Sequence, residues 1–312
     1  MRALSIHMTD CCNQSCKFCV VNSYQEKKEE VNQKLIFKFL EENAGKGYEM
    51  VNLHGGEPTI LNEFIPVLEK IRDLGYPEVT LQTNAHTLSD RDFARKLVDL
   101  NVKTFVISYH TTRPRDMAWL SDVDEDWLSG IEQGIKNVKE LGAKVRSNTV
   151  VYCQNVSYLD EIMNRLIDDL DVDHINISEM HPAGRAYENF TLVCPRLLDI
   201  MKPVKAAVDQ VVLHGKKVTV EGFPPCLLGE NYIRYIVDWE NSNFKLLYHN
   251  FILPNYADFM SNNTRVCGQH CRACRYQKDR LCGGIYKEYV EKYGWKDFQN
   301  VSCISYPREV VQ

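Results

Sequence analysis

The chain has 312 residues, of which 44% are hydrophobic and 25% are charged, and its formal net charge is -5. This is an ordinary globular composition, and the mild acidity argues against a surface built for nucleic acid. The N-terminus lacks a signal-peptide pattern, and no apolar run reaches the roughly 18 residues of a membrane helix. We therefore expect a soluble, cytoplasmic protein that binds neither membranes nor nucleic acid.

Short apolar runs alternate with longer helical patterns up to about residue 215. Six runs rich in Val, Ile and Thr predict strands at 3–8, 49–55, 78–84, 103–109, 144–152 and 174–180. Between them, apolar residues recur at three- and four-residue spacing, which predicts helices at 32–44, 62–75, 89–100, 127–142 and 158–170. Six β–α units in series predict an α/β fold with a parallel sheet, in the form of a partial (β/α)6 barrel of the TIM type.

The pattern changes after residue 216. The stretch "NYIRYIVDW-ENSN-FKLLYHNF" predicts a β-hairpin, and a cysteine-rich loop and a short helix follow it. We therefore predict a barrel core at 1–216 and a small C-terminal hairpin-plus-helix domain at 217–312. Two long stretches without a regular pattern, 110–123 and 181–193, are expected either to cover the site as loops or to be surface excursions.

The twelve cysteines are many for a reducing compartment, and they are clustered. Four of them, Cys11, Cys12, Cys16 and Cys19, follow the first predicted strand in "DCCNQSCKFC". All four can close a structural zinc site, or three can hold a cubane iron–sulfur cluster and leave one iron open. A zinc site would need the adjacent Cys11 and Cys12 to bind one ion, although zinc ligands are usually two to four residues apart. The spacing C-x3-C-x2-C therefore favours an open iron site.

This cysteine loop is similar to the signature of the radical S-adenosylmethionine (SAM) enzymes. In that family an aromatic residue often precedes the last cysteine, as Phe18 does here. Asn commonly follows the first cysteine, which matches Cys12 and not Cys11. The resemblance implies that Cys12, Cys16 and Cys19 ligate a [4Fe–4S] cluster whose open iron binds SAM, with Cys11 as a bystander.

A second motif, "HGGEPT" at 54–59, follows the second predicted strand. Its two glycines allow a ligand to approach the backbone closely, and its glutamate can accept hydrogen bonds from an ammonium group. The resemblance assigns the amino group of SAM to this motif, with Gly55, Gly56, Glu57 and Pro58 as cofactor-binding residues.

Other polar residues lie at the predicted C-terminal strand ends, where barrel folds build their sites. The further cofactor contacts implied by the resemblance are Phe18, Asn84, Ser108, Asn148 and Arg185. For each of them ordinary strand-end hydrogen bonding is the alternative. His110 stands where the family often has Asp, and it is the candidate catalytic residue, either as a substrate contact or proton donor or merely as a solvated loop histidine.

The second group of cysteines resembles the auxiliary-cluster domain, of SPASM or twitch type, that many radical SAM enzymes carry. One cysteine precedes the predicted hairpin, and a C-x2-C pair and a further cysteine follow it. Six cysteines from Cys226 onward are too few for two full clusters, so one auxiliary [4Fe–4S] cluster is expected. The expected ligands are Cys226, Cys271, Cys274 and Cys282, with Cys267 as an alternative. A second cluster using Cys267 and Cys303, and a zinc ribbon, remain open.

The resemblance also implies the chemistry. SAM is cleaved reductively to a 5′-deoxyadenosyl radical, which abstracts hydrogen from a substrate. Enzymes with this architecture most often modify ribosomal peptides or protein side chains, so we expect an oxidoreductase of the peptide-maturase type. A flavodoxin- or ferredoxin-type reductant and a precursor peptide, with a separate carrier protein or bound directly, are the expected partners. The alternatives are oxidation or rearrangement of an aminocyclitol- or nucleotide-type metabolite, and a non-catalytic iron–sulfur or zinc scaffold or redox sensor.

Overall fold

The structure is a computed structural model that describes residues 2–25, 31–237 and 243–299. The strands are β1 (Arg2–His7), β2 (Met50–His54), β3 (Glu78–Thr83), β4 (Val102–Ser108), β5 (Lys144–Val150), β6 (His174–Ser178), β7 (Lys217–Glu221), β8 (Asn243–Tyr248), β9 (Phe251–Leu253), β10 (Arg265–Val266) and β11 (Ile285–Tyr286). The helices are α1 (Gln33–Asn43), α2 (Phe64–Asp73), α3 (Arg91–Asp99), α4 (Pro114–Ser121), α5 (Trp127–Glu140), α6 (Leu159–Asn164), α7 (Arg185–Glu188), α8 (Phe190–Val193), α9 (Leu197–Leu213), α10 (Pro225–Leu228), α11 (Tyr256–Thr264), α12 (Arg275–Lys278) and α13 (Lys287–Tyr293).

One sheet organises most of the chain, in the order β7-β6-β5-β4-β3-β2-β1-β8-β9. All neighbours from β7 to β8 are parallel, and β9 returns antiparallel to β8. Each of the six predicted strands is present and begins within one residue of its predicted start. The predicted α/β class with a parallel sheet is therefore confirmed.

The two faces of this sheet differ in polarity. Side chains alternate along a strand, and on one face they are apolar and fully buried against the helices, as with Leu53, Leu81 and Ile177. The opposite, inner face carries polar side chains: Ser5, His7, Asn52, Gln82, Asn148, Asn176, Ser178 and Glu221. Parallel sheets packed on both faces are usually apolar on both. Because Gln82 is exposed on the central strand β3, the inner face borders an open cleft.

The sheet continues past the predicted boundary at residue 216. The strand β7 pairs with β6, and β8 pairs in parallel with β1 from Arg2↔Asn243 to His7↔Tyr248. The predicted hairpin is displaced, because residues 230–235 form a 3-10 turn and the hairpin is β8–β9, which turns at 249–250. Most of the predicted turn "ENSN" lies outside the described residues. The C-terminal half thus contributes strands to the core sheet.

The stretches 110–123 and 181–193 are not irregular. The first contains α4, which begins at Pro114 as its first helical residue, and the second contains α7 and α8. These helices have only four to eight residues, so they show too few turns for a periodic signal. Within the described ranges, no helix is both long and apolar enough to cross a bilayer.

Candidate metal centres

The cysteine loop after β1 is fastened to the turn after β2. The Gly56 N–H donates to Thr9 O (2.6 Å), and the Glu57 N–H donates to Cys11 O (2.8 Å). A Cβ atom on Gly56 would overlap the Cys11 carbonyl, so a side chain at this position would push the two segments apart. The glycines that the sequence assigned to cofactor approach therefore also hold the cysteine loop in place.

Two other elements support the same loop, and neither contact was evident from the sequence. The C-terminal end of α4 accepts two backbone hydrogen bonds, from Ser15 N to Ser121 O and from Lys17 N to Leu120 O, both 2.8 Å long. The Arg185 N–H at the start of α7 donates to Cys19 O (3.0 Å). The stretches 110–123 and 181–193 thus hold the cysteine loop in place through backbone hydrogen bonds.

The thiols of Cys12, Cys16 and Cys19 share one electrostatic environment. Burial raises the pKa of Cys12 above its ordinary range, and the nearby Glu57, Cys16 and Cys19 raise it further. Burial raises the pKa of Cys16 to about 12, although a hydrogen bond to Ser121 (3.3 Å) and the charge of Arg185 oppose the shift. Buried thiols of this kind ionise when a metal supplies the compensating charge. This donor set suits iron.

The distances between the thiol sulfurs distinguish a site for an iron–sulfur cluster from a site for a single zinc ion. Tetrahedral zinc with Zn–S bonds of about 2.3 Å holds its sulfurs about 3.8 Å apart. Among the described residues, no three cysteine sulfurs lie within 4.8 Å of one another. The three thiols at the end of β1 therefore fit a larger body such as a cubane, held by Cys12, Cys16 and Cys19.

Glu57 is fully buried, at 0% exposure, and the chain itself supplies its hydrogen bonds. Its Oε1 accepts from the Thr59 N–H (3.2 Å) and from the hydroxyls of Thr59 and Thr83 (2.7 and 2.8 Å), and its Oε2 accepts from the Asn84 N–H (2.7 Å). Burial raises the pKa of the carboxyl group, and these bonds oppose the shift. The carboxylate therefore connects the ends of β2 and β3.

Asn84 also links β3 to the cysteine loop. Its Nδ2 donates to Asn13 Oδ1 (2.7 Å), and its Oδ1 accepts from the His86 N–H (3.1 Å). Pro58 begins a short 3-10 turn that Glu57 caps. Asn84 and Pro58 thus lie at the same edge as the cysteines, in the positions expected from the sequence.

His110 is buried, at 8% exposure, so the prediction of a solvated loop histidine was wrong. Its ring meets Phe18 edge to face, with the centroids 5.0 Å apart, and Tyr152 lies on the other side of Phe18 at 5.7 Å. Burial lowers the pKa of His110 to about 4, so the ring is neutral near pH 7. Because Nδ1 accepts from the Val150 N–H (3.2 Å), Nε2 carries the proton. His110 can offer one neutral N–H and not an imidazolium.

Ser108 and Asn148 are neighbours on β4 and β5, paired in register. The amide oxygen of Asn148 accepts from Ser178 Oγ (2.6 Å) and Asn176 Nδ2 (2.8 Å). The inner face is therefore a connected polar network, in which Asn148 already has protein partners.

Five cysteines of the C-terminal part line one small cavity. They are Cys226, Cys267, Cys271, Cys274 and Cys282. Burial raises the pKa of Cys282 to about 11, and the charge of Arg265 opposes the shift. Five thiols exceed the four ligands of one cubane. Cys303 lies outside the described residues.

The fifth thiol, Cys267, is exposed and accepts a hydrogen bond from Gln277 Nε2 (3.3 Å). Cys274 is buried, and Cys226, Cys271 and Cys282 are half-buried. The ligand set expected from the sequence is thus brought together, with Cys267 at its solvent side.

Fold and site together describe an α/β scaffold with one group of cysteines after the first strand of the sheet and a second group lining a C-terminal cavity. The sequence profile of the radical SAM superfamily matches residues 6–166, which is just over half of the chain. The chain belongs to the radical SAM superfamily. This range covers the cysteine loop and the turn after β2.

Relatives and solved structures differ in what they act on. A probable GTP 3′,8-cyclase of Sulfurisphaera tokodaii is 28% identical over 214 residues, 68% of this chain and 66% of that protein. The fold of Streptococcus suis SuiB, solved with S-adenosylmethionine, covers 93% of this chain and 74% of its own, with a TM-score of 0.66 and 18% identity. Methylornithine synthase (PylB) covers 94% and 85%, with a TM-score of 0.58 and 13% identity. This chain spans less than two thirds of the first listed cyclases, 66% and 58% of their lengths.

Proposed function

We propose that this radical SAM protein cleaves SAM reductively and uses the resulting 5′-deoxyadenosyl radical to abstract hydrogen from a peptide or protein side chain. The observation that carries the proposal is the second cysteine cavity, which lies beyond the matched core residues. A crosslink, an epimerisation or an oxidation would each be consistent with it. The fold of SuiB, also solved with a precursor peptide, extends over 93% of this chain and so supports a peptide substrate.

A nucleotide is the second candidate substrate, because the sequence relatives are named as probable GTP 3′,8-cyclases. Cyclisation is also a different reaction type from the oxidation expected from the sequence. A nucleoside triphosphate needs cations around its phosphates. The cleft beside β6 and β7 carries the carboxyl groups of Glu179 and Glu221, and the charge of Arg265 acts on both of them. We prefer the peptide because the C-terminal cysteine cavity lies beyond the matched core residues.

The proposed roles of the residues at the first cysteine site follow from their contacts. Cys12, Cys16 and Cys19 would hold a [4Fe–4S] cluster, which, when bound with SAM, supplies the radical chemistry. The chain holds the loop rigid through Gly56 and Glu57 and leaves backbone groups near the turn for the amino acid part of SAM. Arg185, whose charge already acts on Cys16, is placed to meet the SAM carboxylate.

The remaining residues exclude water and orient the reactants. Phe18, His110 and Tyr152 form an aromatic wall beside the cysteine loop. The neutral His110 Nε2–H is available as a hydrogen-bond donor. A low-potential electron donor of flavodoxin or ferredoxin type, one auxiliary [4Fe–4S] cluster, and a precursor peptide with a carrier protein or bound directly complete the proposal.

The test begins with protein purified without oxygen, in which iron, sulfide and zinc are counted. Dithionite and SAM are then added, and 5′-deoxyadenosine is measured for the wild type, Cys12→Ala and Cys11→Ala. We expect about eight irons per chain, at four per cubane, and cleavage that is lost in Cys12→Ala alone. Four irons with one zinc would make the C-terminal site structural. Equal loss of metal in both variants would return the first loop to a closed zinc site.

A second assay separates the two substrates. The reduced protein is incubated with SAM and GTP, and GTP consumption is followed by chromatography. Turnover of GTP would replace the peptide proposal with the nucleotide one. Its absence, together with binding of a precursor peptide, would support the peptide.

A further inference from the structure

Three side chains near the end of β6, one buried and two half-buried, have buried polar atoms without hydrogen-bond partners among the described residues. They are Glu179, through both carboxylate oxygens, His181, through Nε2, and Glu288, through Oε2. Glu179 is 7% exposed, and His181 Nε2 lies 4.0 Å from Glu288 Oε2. Buried polar groups nearly always have a partner, so three together call for a missing ligand. We name these three residues the mouth cluster.

The segments that carry the mouth cluster also lead to the two cysteine sites. Glu179 directly follows β6, and its N–H donates to Glu221 O at the end of β7 (2.8 Å). A few residues on, Arg185 N binds Cys19 O of the first cysteine loop. Glu288 follows β11, close in sequence to Cys282 of the second cavity. A substrate reaching from one site toward the other would meet these side chains.

Two cations lie near the mouth cluster. Lys287 Nζ is 4.0 Å from Glu288 Oε1, and Arg265, whose charge acts on Glu179, already joins two parts of the chain. Arg265 NH1 donates to the carbonyls of Gly222 (3.2 Å) and Gly284 (2.8 Å). Its guanidinium lies 4.1 Å from the centre of the Tyr286 ring, on which His181 stacks at 4.1 Å. Two groups this close to one ring centre must occupy opposite faces. Among the described residues, no ion pair within 4.0 Å joins Arg265 to Glu179.

The space and the charge around Glu179 both favour the binding of a cationic group. Gly222 has φ +89°, and a Cβ there would lie 2.9 Å from Glu179 Cβ, so the glycine leaves room beside the carboxylate. Burial raises the pKa of Glu179 to about 8, and Arg265 opposes the shift only in part. Burial lowers the pKa of His181 to about 4, so the imidazole is neutral and cannot serve as the counter-ion. A buried carboxylate without a partner is unfavourable until a cation arrives.

We propose that the mouth cluster binds an ammonium or guanidinium group of the substrate, with Glu179 as the main acceptor. This inference rests on the proposed function and adds the chemical class of the substrate: a peptide or protein segment with a Lys or Arg side chain near the reacting residue. An anionic substrate such as a nucleoside triphosphate would meet two carboxylates here.

The experiment compares two small probes on the anaerobically reconstituted holoenzyme with SAM bound. N-acetyl-lysine methylamide carries the ammonium group, and N-acetyl-norleucine methylamide has a similar stem without it. We expect the lysine compound to bind at least tenfold more tightly by calorimetry. In Glu179→Gln this preference disappears, whereas in Glu188→Gln, an exposed position on the same segment, it remains.

Equal affinity for the two probes, no saturable binding of the lysine compound, or a preference that survives in Glu179→Gln would each overturn the inference. If Glu179→Gln does not fold, Glu288→Gln serves instead, with an expected several-fold loss of the preference. Each sample is also assayed for 5′-deoxyadenosine. Cleavage without probe preference would remove the mouth cluster as a cation site and leave the proposed function standing, whereas absence of cleavage in the wild type would refute the proposed function itself.

Discussion

The two cysteine sites are built in different ways. Around the first, backbone hydrogen bonds from the turn after β2, from α4 and from α7 hold the loop, and the buried Glu57 supports that turn. Around the second, five cysteines lie among short elements: β10 and β11 of two residues each, α12 of four, and a 3-10 turn at Gln269–Ala273. The first site is shaped by the protein, whereas the second has little regular structure of its own.

This difference predicts how much a bound metal would contribute to the folding of each site. A preorganised loop can hold the geometry that catalysis needs before the metal arrives. A segment built only from short elements can depend on a bound metal for much of its folding free energy. We therefore expect the first site to stay folded but lose its activity when no metal is bound. We expect the second site to unfold locally without its metal.

The largest expected effect is local unfolding of residues 265–284 when the metal proposed for the C-terminal cysteines is removed. In Cys274→Ala, a buried cavity cysteine, amide exchange at 265–284 should accelerate by about a thousandfold or more, while β1 to β6 keep their protection. Helix α13 should also stay protected, because Tyr289 is 1% exposed and its hydroxyl accepts from the Leu197 N–H (2.9 Å). Exchange is read by mass spectrometry on the full chain.

The exposed Cys153, which lines neither site, supplies the control through Cys153→Ala. Unchanged protection at 265–284 in the metal-free Cys274→Ala chain would mean that this segment folds by its own packing. The contrast between the two sites would then be lost.

The second prediction concerns the clamp on the first loop. In Gly56→Ala the new methyl group overlaps the Cys11 carbonyl, so the cysteine loop must shift. Misplacement by about 1 Å at a reactive site can lower a rate by about 100-fold, and we expect at least that loss of SAM cleavage. Gly45→Ala is the control for a general loss of stability, because its φ of +70° strains an alanine although nothing lies within 4 Å of the added atom. Normal cleavage by Gly56→Ala would show that the loop is more adaptable than its contacts indicate.

Much of the fold could be predicted from the sequence because the signals are local. Each strand from β1 to β6 alternates or runs apolar within five to seven residues, and all of them except β5 end in a polar residue. The strand β7, "KVTVE", also alternates, but the change in pattern after residue 216 placed it in another domain. The pairing of β8 with β1 joins residues some 240 positions apart, and no local pattern reports such a contact.

The same limit applies to the candidate site. The spacing of Cys12, Cys16 and Cys19 and the two glycines are local motifs, so they could be read directly. Ser121, which lies 105 positions from Cys16, touches its sulfur only through the tertiary fold. The mouth cluster was missed for the same reason, since Glu179 and Glu288 come from distant segments and are notable only for the partners they lack.

The third prediction tests the carboxylate that supports the turn after β2. In Glu57→Gln one carboxylate oxygen becomes an NH2 group, which must face either the Thr59 N–H or the Asn84 N–H. Neither backbone donor can rotate away, so we expect a loss of about 1–3 kcal/mol in stability. Thermal unfolding should show a decrease of several degrees. The exposed Glu69→Gln provides the control, and an unchanged melting temperature for Glu57→Gln would contradict the supporting role.

The smallest expected effect lies at Glu179. Its pKa is about 8 in the folded chain and near 4.5 ordinarily, so in this interval the folded state holds a proton that the unfolded state has released. The contribution of Glu179 to stability should therefore be greatest below about pH 4.5 and should decrease as the pH rises toward 8. In Glu179→Gln this decrease is absent.

The measurement compares the melting temperatures of the wild type and Glu179→Gln at several values between pH 6 and 7.5. The charged or titratable groups near Glu179 are Arg265 on β10, Tyr286 on β11, Glu221 on β7, Cys194 and His181. They are present in both proteins, so their own titrations largely cancel in the difference. Two parallel pH profiles would mean that Glu179 is already compensated. A wild-type profile that decreases more steeply would show that burial raises the pKa of Glu179 and that no cation compensates for it.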